Sequence, residues 1–281
     1  PYPTLFRSVF GIVLFAALLH ASWNAIVKLA PDKLLTTILV AAAAAVISAL
    51  ALPFLAQPAR ESWPFLAAST VLQVGYYLLV ARAYRGADMS QAYPLMRGTA
   101  PLIVALVSRF WLGEQLSAVA TVGIALVCGG VLSLALGARG TSGAGVRAAL
   151  LNAVVIASYT LIDGAGVRAS GTPAAYTLWL NLLSGAPLLI WVLAARWRTF
   201  IPYARTHLAL GVVGGLGTLT SYGLALWAMT YAPVAVIAAL RETSILFATA
   251  IAVFVLRERP TPGRILAALL IAAGAVVLRL A

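Results

Sequence analysis

Long apolar stretches separated by short polar connections run through the whole chain. As a helix, a stretch of about 20 residues is long enough to cross a hydrocarbon core of about 30 Å. Ten such spans are predicted, at 9–28, 34–56, 63–82, 88–110, 116–137, 147–165, 174–195, 207–228, 233–256 and 262–280. The connections are only a few residues long, so we expect an all-α, multi-pass integral membrane protein whose function lies among its helices.

Composition supports lipid as the surrounding medium. Hydrophobic residues make up 63% of the 281 positions and charged residues only 9%, which is outside the range of soluble domains. The net charge of +12 comes mostly from Lys and Arg at span ends, where they face anionic lipid. Membrane lipid is therefore the expected partner of these basic residues, and nucleic acid is not. The one cysteine, Cys128, has no second thiol for a disulfide.

Charged residues inside the spans reveal an internal repeat. A separation of 144 residues relates Arg97 to Arg241, and the same separation relates Glu114 to Glu258. A charged side chain near the bilayer centre is unfavourable by at least about 2.5 kcal/mol, so its presence in each half indicates function.

The polar stretch 137–147 divides the chain into two halves of five spans each, 1–140 and 141–281. An odd number of spans inverts the second copy relative to the first. Two inverted five-helix repeats are a recurring architecture of transporters, with the substrate site near the middle of the membrane.

The distribution of basic residues predicts an orientation. Twelve lysines and arginines follow odd-numbered spans, whereas five lie on the opposite side. The positive-inside rule makes the first group cytoplasmic and so predicts that both termini are outside.

The fourth span combines a charge with two prolines. Tyr93, Pro94, Arg97 and Pro101 share one helical face. Each proline removes a backbone donor, which lipid tolerates only where the helix meets protein or a water-filled cavity. We therefore expect this face to line the interior, with the helix unwound near Pro94 and the two prolines acting in gating. Arg97 can bind a carboxylate or pair with an acid on another helix.

The ninth span contains the adjacent residues Arg241 and Glu242. Because neighbouring helical positions point about 100° apart, Glu242 is free to reach Arg97 on the fourth span. Arg241 would then remain for a substrate carboxylate, and Glu242 would offer a contact for an ammonium group. This combination suits a zwitterion, while binding of a coupling proton is the alternative role for Glu242.

Further polar and aromatic positions complete the predicted substrate site. His20, Trp23 and Asn24 share one face of the first span, and Tyr159 lies on a polar face of the sixth. Aromatic residues deep in the spans are suited to stacking on a substrate. The predicted substrate-binding residues are Arg97, Tyr93, Tyr77, Trp23, Asn24, His20, Tyr159, Tyr222, Arg241 and Glu242.

Three segments resemble a known family. Residues 18–28 read LLHASWNAIVK, and the segments Phe110–Glu114 and Phe254–Glu258 each end an apolar run with a glutamate. The chain resembles the ten-helix EamA-type branch of the drug/metabolite transporter superfamily and, within it, the bacterial exporters of amino acids, including aromatic ones. The resemblance implies a central cavity lined by both repeats, alternating access and no bound cofactor. It also implies cytoplasmic termini, the reverse of the orientation that the charge count predicts.

The function expected from these features is export of amino acids or similar small zwitterionic metabolites across the bacterial inner membrane. We expect a monomeric transporter rather than an enzyme, with no metal site. Two alternatives remain open: an organic-cation or multidrug exporter that depends on Glu242, and an intramembrane enzyme acting on lipid.

Overall fold

In the computed structural model the chain is a bundle of helices. The description covers residues 2–86, 89–136, 143–255, 257 and 259–281, and it leaves out the side chains of 2–7, 77, 78, 80–86 and 89–91. The predicted positions Leu256 and Glu258, the side chain of Tyr77 and the proposed boundary at residue 140 lie outside the described residues. Within these limits no strand occurs.

The helices follow the predicted spans closely. They are α1 Tyr2–Leu29, α2 Lys33–Ala51, α3 Trp63–Gly86, α4 Met89–Trp111, α5 Ala118–Leu136, α6 Gly143–Ser170, α7 Pro173–Thr206, α8 Leu208–Met229, α9 Val234–Arg241, α10 Ser244–Ala250 and α11 Pro262–Arg279. Helices α9 and α10, with a π-helical turn at Ile251–Val255, together form the ninth span. Eight segments of the described chain are long and apolar enough to cross a membrane by length and composition. The prediction of ten transmembrane helices is confirmed.

Helix packing follows the inverted repeat. Helix α1 packs against α8, and its counterpart α6 packs against α3, the counterpart of α8. Helices α2 and α7 contact each other, as do α5 and α11, and α4 contacts α9. Each of these last three pairs joins a helix to its own counterpart. The pairing is the one expected when a two-fold axis in the membrane plane relates the halves.

Small residues allow the α5–α11 pair to approach closely. A Cβ atom on Gly274 would lie 2.7 Å from the backbone nitrogen of Val127, and one on Gly130 would lie 3.0 Å from the carbonyl oxygen of Ala267. Membrane helices gain no hydrophobic free energy by associating with each other, so backbone approach of this kind supplies much of their packing.

The expected unwinding near Pro94 is wrong. Helix α4 continues from Met89 to Trp111 with Pro94 and Pro101 inside it. A proline inside a helix removes one hydrogen bond and kinks the helix, but the surrounding protein can compensate for the lost bond.

The break lies in the ninth span instead, where no proline occurs between the two helices. Glu242, Thr243 and Ile245 each donate their backbone N–H to the carbonyl three residues earlier, at 3.0 Å. This tightened turn separates α9 from α10, and such turns inside a span often mark a hinge.

Candidate functional site

A buried ion pair joins the two repeats at the centre of the bundle. Nε of Arg97 on α4 donates to Oε2 of Glu242 at 3.1 Å, and Nη2 lies 2.9 Å from Oε1. The two side chains are only 12% and 5% exposed. Nη2 is not aligned for a hydrogen bond and has no other partner among the described residues. The pairing of Glu242 with Arg97 that the sequence allowed is therefore present.

The tightened turn determines which way the two neighbouring charges point. Arg241 ends α9 and Glu242 follows it as the capping residue, with φ −70° and ψ −13°. While Glu242 contacts Arg97, the guanidinium of Arg241 lies over the ring of Tyr222 on α8, 4.8 Å from its centroid. No carboxylate of the described chain lies within 4 Å of Arg241. Tyrosine faces attract cations, so Arg241 keeps its charge beside an aromatic ring instead of an acid.

A small cavity lies next to these charges. It has room for about one water molecule. Its lining combines polar and apolar side chains from α4, α6 and α9: Arg97, Ala100, Pro101, Val104, Ile156, Tyr159, Thr160, Ala238, Arg241 and Glu242. An amino acid is larger than this space, so binding one requires the repeats to move apart.

Two other predicted site residues, His20 and Tyr93, lie near the charges of this site. His20 lies close enough to Arg97 and Arg241 for electrostatic interaction, and Tyr93 is similarly close to Arg97. The rings of His20 and Trp23 meet edge to face at 5.4 Å. Indole Nε1 of Trp23 is buried and has no hydrogen-bond partner in the described structure.

Two predicted residues have other placements. The amide of Asn24 donates to the carbonyl of His20 one turn earlier at 2.7 Å, so it is used within α1. Pro94 is buried and lies outside the cavity lining. Pro101 does line the cavity.

Asp163, on the sixth span, is not among the predicted site residues. Asp163 is fully buried on α6, and it accepts hydrogen bonds from the hydroxyls of Tyr176, at 3.1 Å, and Tyr222, at 2.5 Å. Tyr222 therefore contacts both Asp163, through its hydroxyl, and Arg241, through its ring. An acid within an apolar helix is the signal that identifies such a residue, but its partners come from other helices.

A second ion pair joins the repeats near one end of the bundle. Glu114, just after α4, accepts hydrogen bonds from Nη2 of Arg168 at 2.7 Å and from the backbone N–H of Val234 at 2.8 Å. Arg168 also donates to the carbonyls of Met229, at 2.7 Å, and Ala232, at 3.0 Å. Glu114 thus caps α9, and Arg168 binds carbonyls at and just beyond the end of α8. The repeat spacing had selected Glu114 without indicating this contact.

Polar groups enclosed between two inverted repeats of membrane-spanning helices are typical of a membrane transporter. The chain belongs to the EamA-like transporter family, whose model matches residues 8–136 and again residues 143–280. It is therefore a multi-pass membrane transporter of small solutes.

Solved structures share this fold. One crystal structure superposes with a TM-score of 0.71 and 20% sequence identity. The superposition covers 98% of this chain and 96% of the chain in that structure. At this identity the likeness shows the fold alone. The comparison with curated proteins gives no match.

Proposed function

We propose that this transporter exports amino acids, including aromatic ones, or similar small zwitterionic metabolites across the bacterial inner membrane. The observation that carries the proposal is the buried Arg97–Glu242 pair with the cation of Arg241 beside it. A monomer would be sufficient, because both repeats that line the cavity belong to one chain.

The charges favour a ligand that carries both signs. Breaking a buried ion pair by removing one partner costs about 3–5 kcal/mol, because the other charge remains buried and unpaired. A zwitterion avoids this cost, since its carboxylate binds arginine while its ammonium group binds Glu242. The cation of Arg241, which lies over the ring of Tyr222, is available to the carboxylate.

The cavity favours alternating access over an open channel. Its volume accepts about one water molecule, so the substrate must separate α4 from the ninth span in order to enter. The tightened turn at Glu242 and Thr243 lies where such a movement would be needed. The aromatic side chains Tyr159 and Tyr222 would then contact an aromatic or aliphatic substrate side chain.

Transport by the purified protein in liposomes tests this proposal. Exchange of radiolabelled L-phenylalanine against a panel of unlabelled amino acids should be measured for wild type, Arg97→Ala and Glu242→Gln. We expect exchange by wild type and loss in both variants. Arg60→Ala and Glu61→Gln provide matched controls, since both residues are exposed. Absence of exchange for every amino acid tested would reject the proposal.

The same variants distinguish an organic-cation exporter. Such a protein would need Glu242 free of Arg97, so Arg97→Ala should preserve or increase transport of a cationic dye while Glu242→Gln abolishes it. Dye transport with this pattern would replace amino-acid export as the interpretation.

A further inference from the structure

Asp163 is the second buried acid near the cavity, and its surroundings differ from those of Glu242. Its side chain lies on α6 with no exposed surface. Tyr176 from α7 and Tyr222 from α8 donate to its two oxygens. The Ser69 hydroxyl on α3 lies nearby. No Lys or Arg side chain of the described chain lies within 4 Å of this carboxyl.

The charged groups on neighbouring elements are engaged elsewhere. On α4, Arg97 contacts Glu242, while Arg168 of α6 itself contacts Glu114. Arg241 of α9 is within electrostatic range of Asp163, with Tyr222 hydrogen-bonded to the carboxyl and contacting the guanidinium. Arg60 and Glu61, in the turn that packs on α6, are exposed. Asp163 is thus surrounded mainly by hydroxyl groups.

Because of this difference, Asp163 can gain and lose a proton without leaving a buried charge unpaired, whereas Glu242 cannot. Protonation of Glu242 would leave Arg97 buried without its counter-ion, which is strongly unfavourable. Protonation of Asp163 would leave only hydroxyl partners, and a hydroxyl can accept a hydrogen bond as readily as it donates one. Rotation of the Tyr or Ser hydroxyls therefore accommodates both forms of Asp163.

Tyr222 connects Asp163 to the place where a substrate carboxylate would bind. Its hydroxyl donates to Asp163, and its ring faces the guanidinium of Arg241. A substrate carboxylate at Arg241 would bring a second negative charge close to Asp163. Because like charges repel in a medium of low dielectric constant, substrate binding and protonation of Asp163 should strengthen each other. Such coupling is reciprocal between the two sites.

We propose that Asp163 binds the coupling proton of this transporter and takes it up when a substrate carboxylate reaches Arg241. The inference rests on the proposed function for the identity of the substrate. One proton from water converts the carboxylate to the neutral acid, and the same proton returns to water when the substrate leaves. Because proton and substrate bind together, they cross the membrane in the same direction, and a high cytoplasmic concentration of the substrate drives both outward. Glu242 serves as the fixed counter-ion of Arg97.

Transport assays of Asp163→Asn separate coupling from folding. We expect a pH gradient to drive accumulation of L-phenylalanine in liposomes containing wild type but not Asp163→Asn. Exchange of labelled for unlabelled L-phenylalanine without a gradient should persist in the variant, because asparagine has nearly the same size and mimics the neutral acid. Gradient-driven accumulation by Asp163→Asn equal to that of wild type would overturn the proposal.

The pH dependence of the affinity for L-phenylalanine provides a second test of the role of Asp163. In wild type it should weaken as pH rises, by up to about tenfold per pH unit, which is the limit for one linked proton. The affinity of Asp163→Asn should not depend on pH. An unchanged pH dependence in this variant would contradict the assignment.

Infrared difference spectroscopy of the protein without substrate distinguishes the two proposals. A pH step should produce a carboxylic-acid carbonyl band in wild type that is absent in Asp163→Asn and retained in Glu61→Gln. If this band is found but no amino acid binds at any pH, the proposed substrate is wrong and the proton site stands. If the band persists in Asp163→Asn, the proton site is wrong whatever the substrate.

Discussion

The two ion pairs that join the repeats use the same chemistry for different purposes. Arg97 and Glu242 are 12% and 5% exposed, and each is the other's only charged hydrogen-bonding partner in the described chain. Arg168 is 33% exposed, while Glu114 also accepts from the first amides of α9. The central pair therefore places two charges beside a cavity, whereas the second pair fixes the ends of helices.

This difference indicates what each pair contributes. A buried pair can often be replaced by apolar residues without loss of stability, so the presence of Arg97 and Glu242 beside the cavity points to function. The Glu114–Arg168 pair satisfies backbone groups that would otherwise lack partners within the membrane protein. Its role is to hold the start of α9 against the end of α4.

Apolar replacement of the central pair should produce the largest effect. Arg97→Met or Glu242→Leu alone should lower the free energy of unfolding by about 3–5 kcal/mol, because each leaves a buried charge unpaired. The double variant should recover most of that stability and yet transport no amino acid. Unfolding in detergent and exchange in liposomes measure these two outcomes. A double variant that still transports would show that the pair is structural.

Loss of the helix cap should affect stability more than transport. Glu114→Gln removes the charge that binds Arg168 and the first amides of α9, so we expect a loss of about 1–3 kcal/mol. Arg168→Met should cost less, since its side chain is one-third exposed. Protein that remains folded should bind L-phenylalanine within a few-fold of wild type. A selective loss of binding in stable Glu114→Gln would instead assign Glu114 to the substrate site.

Asp163, unlike Glu242 and Glu114, has no arginine partner in the described chain. A substitution at Gly166 tests the hydrogen bonds around its carboxyl. A Cβ atom at Gly166 would lie 2.3 Å from the hydroxyl oxygen of Tyr176, so Gly166→Ala must displace this donor from Asp163. We expect a stability loss of about 1–3 kcal/mol from the clash. The proton linkage of substrate binding should also change. Gly143→Ala, on the same helix with open space around it, should change neither quantity.

The smallest effect is expected at Tyr222, where two changes separate its two contacts. Tyr222→Phe retains the ring over Arg241 and removes the hydrogen bond to Asp163, so it should weaken the pH dependence of binding. Tyr222→Leu also removes the cation–π contact, which contributes about 0.5–2 kcal/mol. Binding of L-phenylalanine at a fixed pH should therefore change more in Tyr222→Leu. Equal binding by the two variants would show that the ring does not position Arg241.

The membrane architecture was predictable because its signal is repeated along the chain. Apolar stretches of helical length marked the spans, and the positions of Arg97 and Arg241 revealed the duplication. The predicted end of the seventh span at 195 falls beside the non-helical Arg196, although helix α7 continues to Thr206. Lipid forces backbone groups to bond within each span, so length and hydrophobicity determine such elements strongly.

The site was less predictable because its contacts cross between helices. Pro94 predicted a break in α4, but that helix is continuous. The break lies in the ninth span at Glu242 and Thr243, where the sequence has no proline or glycine. The hydrogen-bond partners of Asp163 come from two other helices, α7 and α8. Periodicity places a residue on a face, whereas the identity of its neighbour depends on tertiary packing.

Competition among three ligands that share a phenyl ring tests the central claim most directly. L-Phenylalanine carries both charges, 3-phenylpropionate only the carboxylate and phenethylamine only the ammonium group. Against labelled L-phenylalanine in liposomes, the zwitterion should compete at least about tenfold more strongly than either analogue. Phenethylamine brings no carboxylate to Arg241 and 3-phenylpropionate brings no ammonium group to Glu242, and a hydrogen bond to a charged group contributes about 1.5–3 kcal/mol. If phenethylamine or 3-phenylpropionate competes as strongly as L-phenylalanine, recognition of a zwitterion by Arg97, Arg241 and Glu242 is contradicted.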